Sequence, residues 1–414
     1  MNTILKGACI VGQSGGPTSV INASAYGVIK TALESDFITK VYGAANGIVG
    51  VLDDRLYDMS CEDAEELRLL MNTPSSELGS CRYKIADPKK DDSDYKRIHE
   101  IFIKYDVRYF FYIGGNDSMD TCNKISSYMQ SVGYECRVIG VPKTIDNDLF
   151  GTDHCPGFGS AAKYIATTCA EIYKDAHVYN TGMIVIIEIM GRHAGWLAGS
   201  AALASVCCCG PDLIYLPEIP FDMDKFINDA KSIYDKNSNC IVAVSEGIHY
   251  EDGSFVSEAK VSSTDGFGHA QLGGLAALLA HNIKEKTGAK VRGIELSLLQ
   301  RCGAHLASET DLNEAFMAGE AAVNAAVSGI SGQMVAFERS CGSDGEYLCS
   351  TNLIPLSSVA NLEKKVPLEW ITKEKNGVTQ EFIDYALPLI QGEPERATEN
   401  SLPRYARLKK ILAK

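Results

Sequence analysis

The chain has 414 residues, 45% of them apolar and 22% charged, a composition of water-soluble globular proteins and a length sufficient for two domains of ordinary size. Its formal net charge of −14 argues against a nucleic-acid partner, so any anionic substrate must be met by a local cluster of Arg and Lys. The 14 cysteines contain no Cys-x-x-Cys pair, no apolar signal core surrounds Lys6, and residues 196–209 are too short and too rich in Gly and Ser to span a bilayer, so reduced, mostly buried thiols in a cytoplasmic protein with no membrane partner are expected.

Residues 8–11 read as a short buried strand, followed by Gly12-Gln-Ser-Gly-Gly-Pro17 and a helix over 18–33. Strand, glycine loop and helix N-terminus together form an anion cradle, although any strand-to-helix turn can require glycine for structural reasons alone. A second strand is expected at 41–43. Residues 72–84 have turn chemistry and carry Arg82 and Lys84, either phosphate clamps or solvated loop charges; 87–94 is a charged surface segment. Aromatic and β-branched residues at 107–113 predict a strand ending in Gly114-Gly115. Met119, Cys122, Ile125, Met129 and Val132 then fall near one face of a helix over 119–132. Gly114-Gly-Asn-Asp-Ser118 therefore lies on a strand-to-helix corner, where Asp117 is either a first-turn acid or a functional carboxylate.

The strand over 137–141 delivers Pro142-Lys-Thr-Ile-Asp-Asn-Asp148, with a lysine, a threonine and two carboxylates at the edge where open α/β sheets bind ligands. That set suits phosphoryl transfer, one carboxylate taking a proton from an attacking hydroxyl and another holding a metal near the phosphates; an acidic turn is the alternative. A helix over 157–174 and a strand over 183–189 lead to Met190-Gly-Arg-His-Ala-Gly195, in which Arg192 and His193 occupy an expected binding loop. Strands at 212–217 and 241–244 come next, the second ending at Ser245-Glu246-Gly247. A helix over 268–286, a strand over 292–299 ending at Gln300-Arg301, and an alanine-rich helix over 311–327 complete the pattern. The alternation predicts a doubly wound α/β architecture with mostly parallel sheets. After Gly332 the pattern weakens, and residues 391–414 are expected to pack as a short helix.

Gln13-Ser-Gly-Gly-Pro17, Gly114-Gly-Asn-Asp-Ser118, Pro142–Asp148, Met190–Gly195 and Glu246-Gly247 together resemble the phosphofructokinase family, most closely its pyrophosphate-dependent branch, in order and spacing as far as about Gly332. The resemblance implies two doubly wound α/β/α domains. Residues 1–155 with about 303–360 would bind the phosphate donor, residues 156–302 the sugar phosphate, and 361–414 would be an extension packed on the core. It implies magnesium-dependent, reversible phosphoryl transfer to the 1-hydroxyl of fructose 6-phosphate in a homodimer or homotetramer. By the same resemblance Asp146 is the catalytic base and Thr144 lies against the transferring phosphate or sugar. Met190, Gly191, Arg192 and Glu246 match sugar-binding positions. Arg292 and Arg301 match arginines that meet the sugar phosphate, one of them across a subunit interface. Gly15 and Gly16 match the donor loop, which Arg82 would join, and Asn116 and Asp148 would hold the metal. Met183 and Leu298 stand where the family commonly has an arginine and a histidine. A different mode of binding the acceptor, and a longer acceptor such as sedoheptulose 7-phosphate as an additional substrate, are therefore open to test.

Asp117 and Lys143 bear on the donor, because ATP users of the family usually carry glycine at both positions. An Asp at the mouth of the cradle takes the room of a nucleotide α-phosphate and repels it: like charges ~4 Å apart at an effective dielectric of about 20 cost roughly 4 kcal/mol, or about three decades of affinity. Lys143 supplies a point charge for the bridging and leaving oxygens of pyrophosphate, where negative charge builds. The alternatives are an ATP-dependent enzyme, with Asp117 turned away as a helix cap, and a non-catalytic regulatory subunit of the same fold.

Overall fold

A computed structural model describes residues 5–178, 180–257, 272–359 and 362–414. Its larger sheet is built from β1 (Gly7–Gln13), β2 (Ile38–Ala44), β3 (Leu56–Asp58), β4 (Val107–Gly114), β5 (Arg137–Pro142), and, after a long excursion, β10 (Gln333–Cys341) and β11 (Tyr347–Pro355). The excursion forms the smaller sheet: β6 (Ile184–Ile189), β7 (Leu213–Tyr215), β8 (Cys240–Ser245) and β9 (Val291–Glu295). The strand orders are β11-β10-β5-β4-β1-β2-β3 and β7-β8-β6-β9. The interior pairs of both sheets are parallel, and the larger sheet is closed at each edge by an antiparallel pair, β2 with β3 and β10 with β11. Every residue of β1, β6 and β8 is buried, as expected of parallel strands covered on both faces.

On one face of the larger sheet the helices Ile21–Leu33 and Glu309–Val327 pack together. They approach so closely that a Cβ on Gly27 would lie 2.2 Å from the Phe316 carbonyl oxygen. The helices Ser93–Lys104 and Asn116–Ser131 cover the other face. Within the second of these, Met119, Cys122, Ile125 and Met129 are buried as their spacing predicts, while Val132 comes after the last turn and is exposed. The C-terminal segment packs on both units: Val366, Ile371, Phe382 and Leu389 join the core around the smaller sheet, and Ala406 joins that of the larger.

Three expectations are corrected. The strand expected over 292–299 ends at Glu295, because Ser297 takes a left-handed φ of 44° and Leu299–Cys302 is a helical turn. The region after Gly332 is as regular as any other: β10 and β11 form a long antiparallel pair whose edge strand alternates between half-buried and exposed residues, which dilutes its apolar signal. The tail is extended rather than helical. Pro394 and Pro403 remove donors, and the backbone N–H groups of Arg407, Lys409 and Lys410 donate to the carboxylates of Glu66 and Glu62. The helix expected over 268–286 runs from Leu275 to Thr287, and residues 268–271 lie outside those described. All 14 cysteines are free; Cys9, Cys122, Cys155, Cys169 and Cys240 are buried, but Cys207, Cys208 and Cys341 are exposed. Among the described residues, no helix is long and apolar enough to cross a membrane.

Candidate active site

The carboxyl ends of β1, β4 and β5 face the loops after β6 and β8 across a cleft of about 640 Å³. A strand order that reverses beside β1 opens such a crevice, so the position is dictated by topology.

On the larger-sheet side, three cations converge on the glycine loop after β1. The Lys143 ammonium, 3% exposed, donates to the Gly16 carbonyl at 2.6 Å. A Cβ on Gly15 would lie 3.3 Å from the same nitrogen; one on Gly16 would lie 3.3 Å from Arg301 Nη1 and 3.8 Å from Arg82 Nη2. Only a residue without a side chain leaves that space for a ligand. Burial, then the charges of Arg82 and Arg301, push Lys143 down to about 8 against the pull of Asp146 and Asp148. Burial and Arg82 likewise lower Arg301. Cations that depress one another over an open backbone cradle form an anion seat.

Gly114-Gly115 opens the helix Asn116–Ser131 at the mouth of this seat. Asp117 is in its first turn, lines the cleft, and forms an ion pair with Lys84 at 3.4 Å. It is thus both a first-turn acid and a cleft carboxylate. Asn116 Oδ1 is buried and has no hydrogen-bond partner. An unsatisfied carbonyl oxygen beside carboxylates fits a hard divalent cation, and Asp148 lines the same cleft.

The reactive loop after β5 is held from behind. Asn147, wholly buried with a left-handed φ of 55°, accepts from the Cys155 N–H at 2.9 Å and donates to the Tyr385 hydroxyl at 2.8 Å. That pin turns Asp146 and Asp148, on either side of it, toward the cleft. The Thr144 hydroxyl accepts from the Asp146 N–H at 3.1 Å. Burial, with the negative charges of Asp148 and Glu246, raises Asp146 to about 7, while Lys143 and Arg192 oppose the shift. A carboxylate poised near neutrality is suited to proton abstraction. Burial also raises Asp148 and Glu246.

Across the cleft, Met190 and Arg192 come directly after β6, and Glu246 after β8. The Gly191 N–H donates to Glu246 at 3.4 Å, and the Met190 N–H donates to Gln300 at 3.2 Å, tying the two loops to the turn that carries Arg301. Leu298, 54% exposed, lines this side with Glu295 and Ser297. Met183 is 5% exposed at the opposite end of β6, in the hydrophobic core. Arg292 is exposed on the edge strand β9 and does not line the cleft of its own chain. Sequence reasoning singles out neither Asn147 as an anchor nor Glu363, a cleft carboxylate from the C-terminal segment.

Residues 8–326 match the model of the Phosphofructokinase family. A pyrophosphate–fructose 6-phosphate 1-phosphotransferase from Halomonas elongata is 44% identical over 402 residues, covering 96% of this chain and 95% of that protein. The crystal structure of a pyrophosphate-dependent phosphofructokinase from Marinobacter aquaeolei is similar with a TM-score of 0.88 and 40% identity, over 99% of this chain and 98% of that one. Another from Nitrosospira multiformis gives 0.89 and 39%, with the same coverage. With a family match running from β1 into the helix Glu309–Val327, and likenesses spanning nearly the whole chain, this protein belongs to the phosphofructokinase family.

Proposed function

We propose that the chain catalyses reversible, magnesium-dependent transfer of a phosphoryl group from pyrophosphate to the 1-hydroxyl of fructose 6-phosphate, yielding fructose 1,6-bisphosphate and phosphate. The observation that carries this reading is the buried Lys143 ammonium bonded to the Gly16 carbonyl, with Asp117 lining the mouth of the same cradle. A compact cationic seat rimmed by a carboxylate accepts a small inorganic donor and repels the α-phosphate of a nucleotide. Asp117 lines the cleft and is paired with Lys84, and an acid at that position favours the smaller donor over ATP.

In this mechanism pyrophosphate lies over Gly15 and Gly16 against Lys143 and Arg82, and Arg301, expected at the sugar phosphate, reaches the same loop at Gly16. Asp146 accepts the proton of the sugar 1-hydroxyl as its oxygen attacks phosphorus, Thr144 orients that loop, and Lys143 and Arg192 balance the charge that builds on the phosphoryl oxygens. Met190, Gly191, Arg192 and Glu246 hold the sugar. Asn116 and Asp148 would hold magnesium, whose charge neutralises phosphate oxygens when bound. Residues 1–155 with about 303–360 carry the donor side, 156–302 the sugar side, and 361–414 support both. The exposure of Arg292 on an edge strand supports a homo-oligomer in which it reaches a partner's sugar phosphate. Free thiols support a cytoplasmic enzyme. The test is steady-state rates with pyrophosphate and with ATP, each against fructose 6-phosphate and sedoheptulose 7-phosphate. Faster turnover with pyrophosphate is expected; faster turnover with ATP overturns the donor assignment, and inactivity of the purified homo-oligomer with both overturns the enzyme.

A further inference from the structure

The cleft brings many carboxylates to an anion site. Asp117, Asp146, Asp148, Glu246, Glu295 and Glu363 line it, against Arg82, Lys143 and Arg192, with Arg301 beside Gly16 and Lys84 paired to Asp117. A pyrophosphate bound there adds further negative charge, and repulsion between like charges a few ångströms apart costs on the order of kcal/mol each. Cations must enter with the ligand.

Glu363 is the member of this set that lies beyond the family match, which ends at residue 326. Its backbone forms an antiparallel bridge with Leu149, and the next residue, Lys364, donates its N–H to the Asp148 carbonyl at 2.7 Å. The C-terminal segment is thus tied to the reactive loop by one bridge and one backbone hydrogen bond, and Glu363 and Asp148 line the same cleft. Asn116, which lines the same cleft with its Oδ1 buried and unpartnered, offers an oxygen but no charge. A small hard cation that keeps several waters is ordinarily held by one or two carboxylates together with substrate phosphates. Asp148 supplies one such group.

We infer that Glu363 supplies the other, as a positioning residue that holds the water shell of the divalent cation accompanying pyrophosphate. This rests on the reading of the cleft as a pyrophosphate site. The experiment titrates Mn2+ into full-length enzyme with imidodiphosphate present, reading bound metal by electron paramagnetic resonance. Glu363→Gln is expected to weaken Mn2+ binding by about tenfold or more, the usual scale for groups that orient a metal's ligands. Glu363→Asp should recover part of the loss, with the KM for fructose 6-phosphate and the melting temperature unchanged. Affinity within twofold of the unaltered enzyme overturns the inference, as does a variant that loses Mn2+ and fructose 6-phosphate binding together with thermal stability. If Asp148→Asn releases Mn2+ and Glu363→Gln does not, the inference fails while the reading of the cleft stands. If the unaltered enzyme with imidodiphosphate binds no Mn2+, both fail.

Discussion

Replacing Lys143 with Met removes one charge while keeping most of the volume of a buried side chain. The ammonium is 2.6 Å from the Gly16 carbonyl and close above Gly15, so a phosphate oxygen in that seat is ~4 Å away, where an effective dielectric of about 20 gives roughly 4 kcal/mol of attraction. Arg82 and Arg301 remain beside Gly16 and take up part of the loss. If they recover half, about 2 kcal/mol is lost, so kcat/KM for pyrophosphate should fall by between roughly thirtyfold and a thousandfold. Two pH signatures accompany the loss. Lys143 lowers the pKa of Asp146, so its removal should move the acid limb of kcat/KM for fructose 6-phosphate above the present value of about 7, because the base must be unprotonated and activity disappears as pH falls through its pKa. The alkaline limb for pyrophosphate, set by loss of the Lys143 proton near about 8, should vanish. The assay is initial rate against pH from 5.5 to 9.5 under each limiting substrate, on the order of one pH unit beyond the two pKa values. A decrease under threefold with both limbs unmoved would refute the placement of the donor against Lys143.

Asp146→Ser should lower turnover by orders of magnitude while fructose 6-phosphate still binds, as measured by calorimetry; unchanged turnover rejects Asp146 as the base. Asp117→Gly should improve kcat/KM for ATP, by up to about three decades, the repulsion removed; no gain in an assay at matched magnesium would locate donor selection elsewhere. Asn147→Ala removes the bonds to Cys155 and Tyr385 and should cost about 1–3 kcal/mol in urea unfolding, with a parallel fall in turnover as the carboxylates lose their fixed direction. Wild-type stability in that variant would show that the loop does not depend on this pin.

Where the chemistry lies within a strand or the loop immediately after it, the sequence is a good guide. Apolar runs such as 138–141 and 184–189 announce buried parallel strands, and the loops at their carboxyl ends must lie at the ligand edge, so Lys143, Asp146, Arg192 and Glu246 can be named together. Contacts made between distant stretches leave no local pattern. Nothing around Glu363, Tyr385 or Lys364 reveals that they support the loop at Asp146, more than two hundred residues earlier. The His154 imidazole, between Asp153 at 2.8 Å and Glu314 at 2.6 Å with Tyr347 donating to the same Glu314, is another assembly of distant parts. The mixed charges of the tail suit a helix, whereas its backbone donors are claimed by acids from residues 62–66, a pairing that no local pattern encodes.

The hydrogen bond from Asn147 to Tyr385, and the short pairing of Lys364 with Asp148, have a consequence for the newly made protein. The groups assigned to the donor, the sugar and the proton transfer have been synthesised once Arg301 is added, yet Glu363 and the brace that aims the carboxylates are encoded downstream. A nascent chain still attached to the ribosome therefore holds its reactants' binding groups without their final alignment. Competence for turnover arrives only once Tyr385 has been made and has reached Asn147.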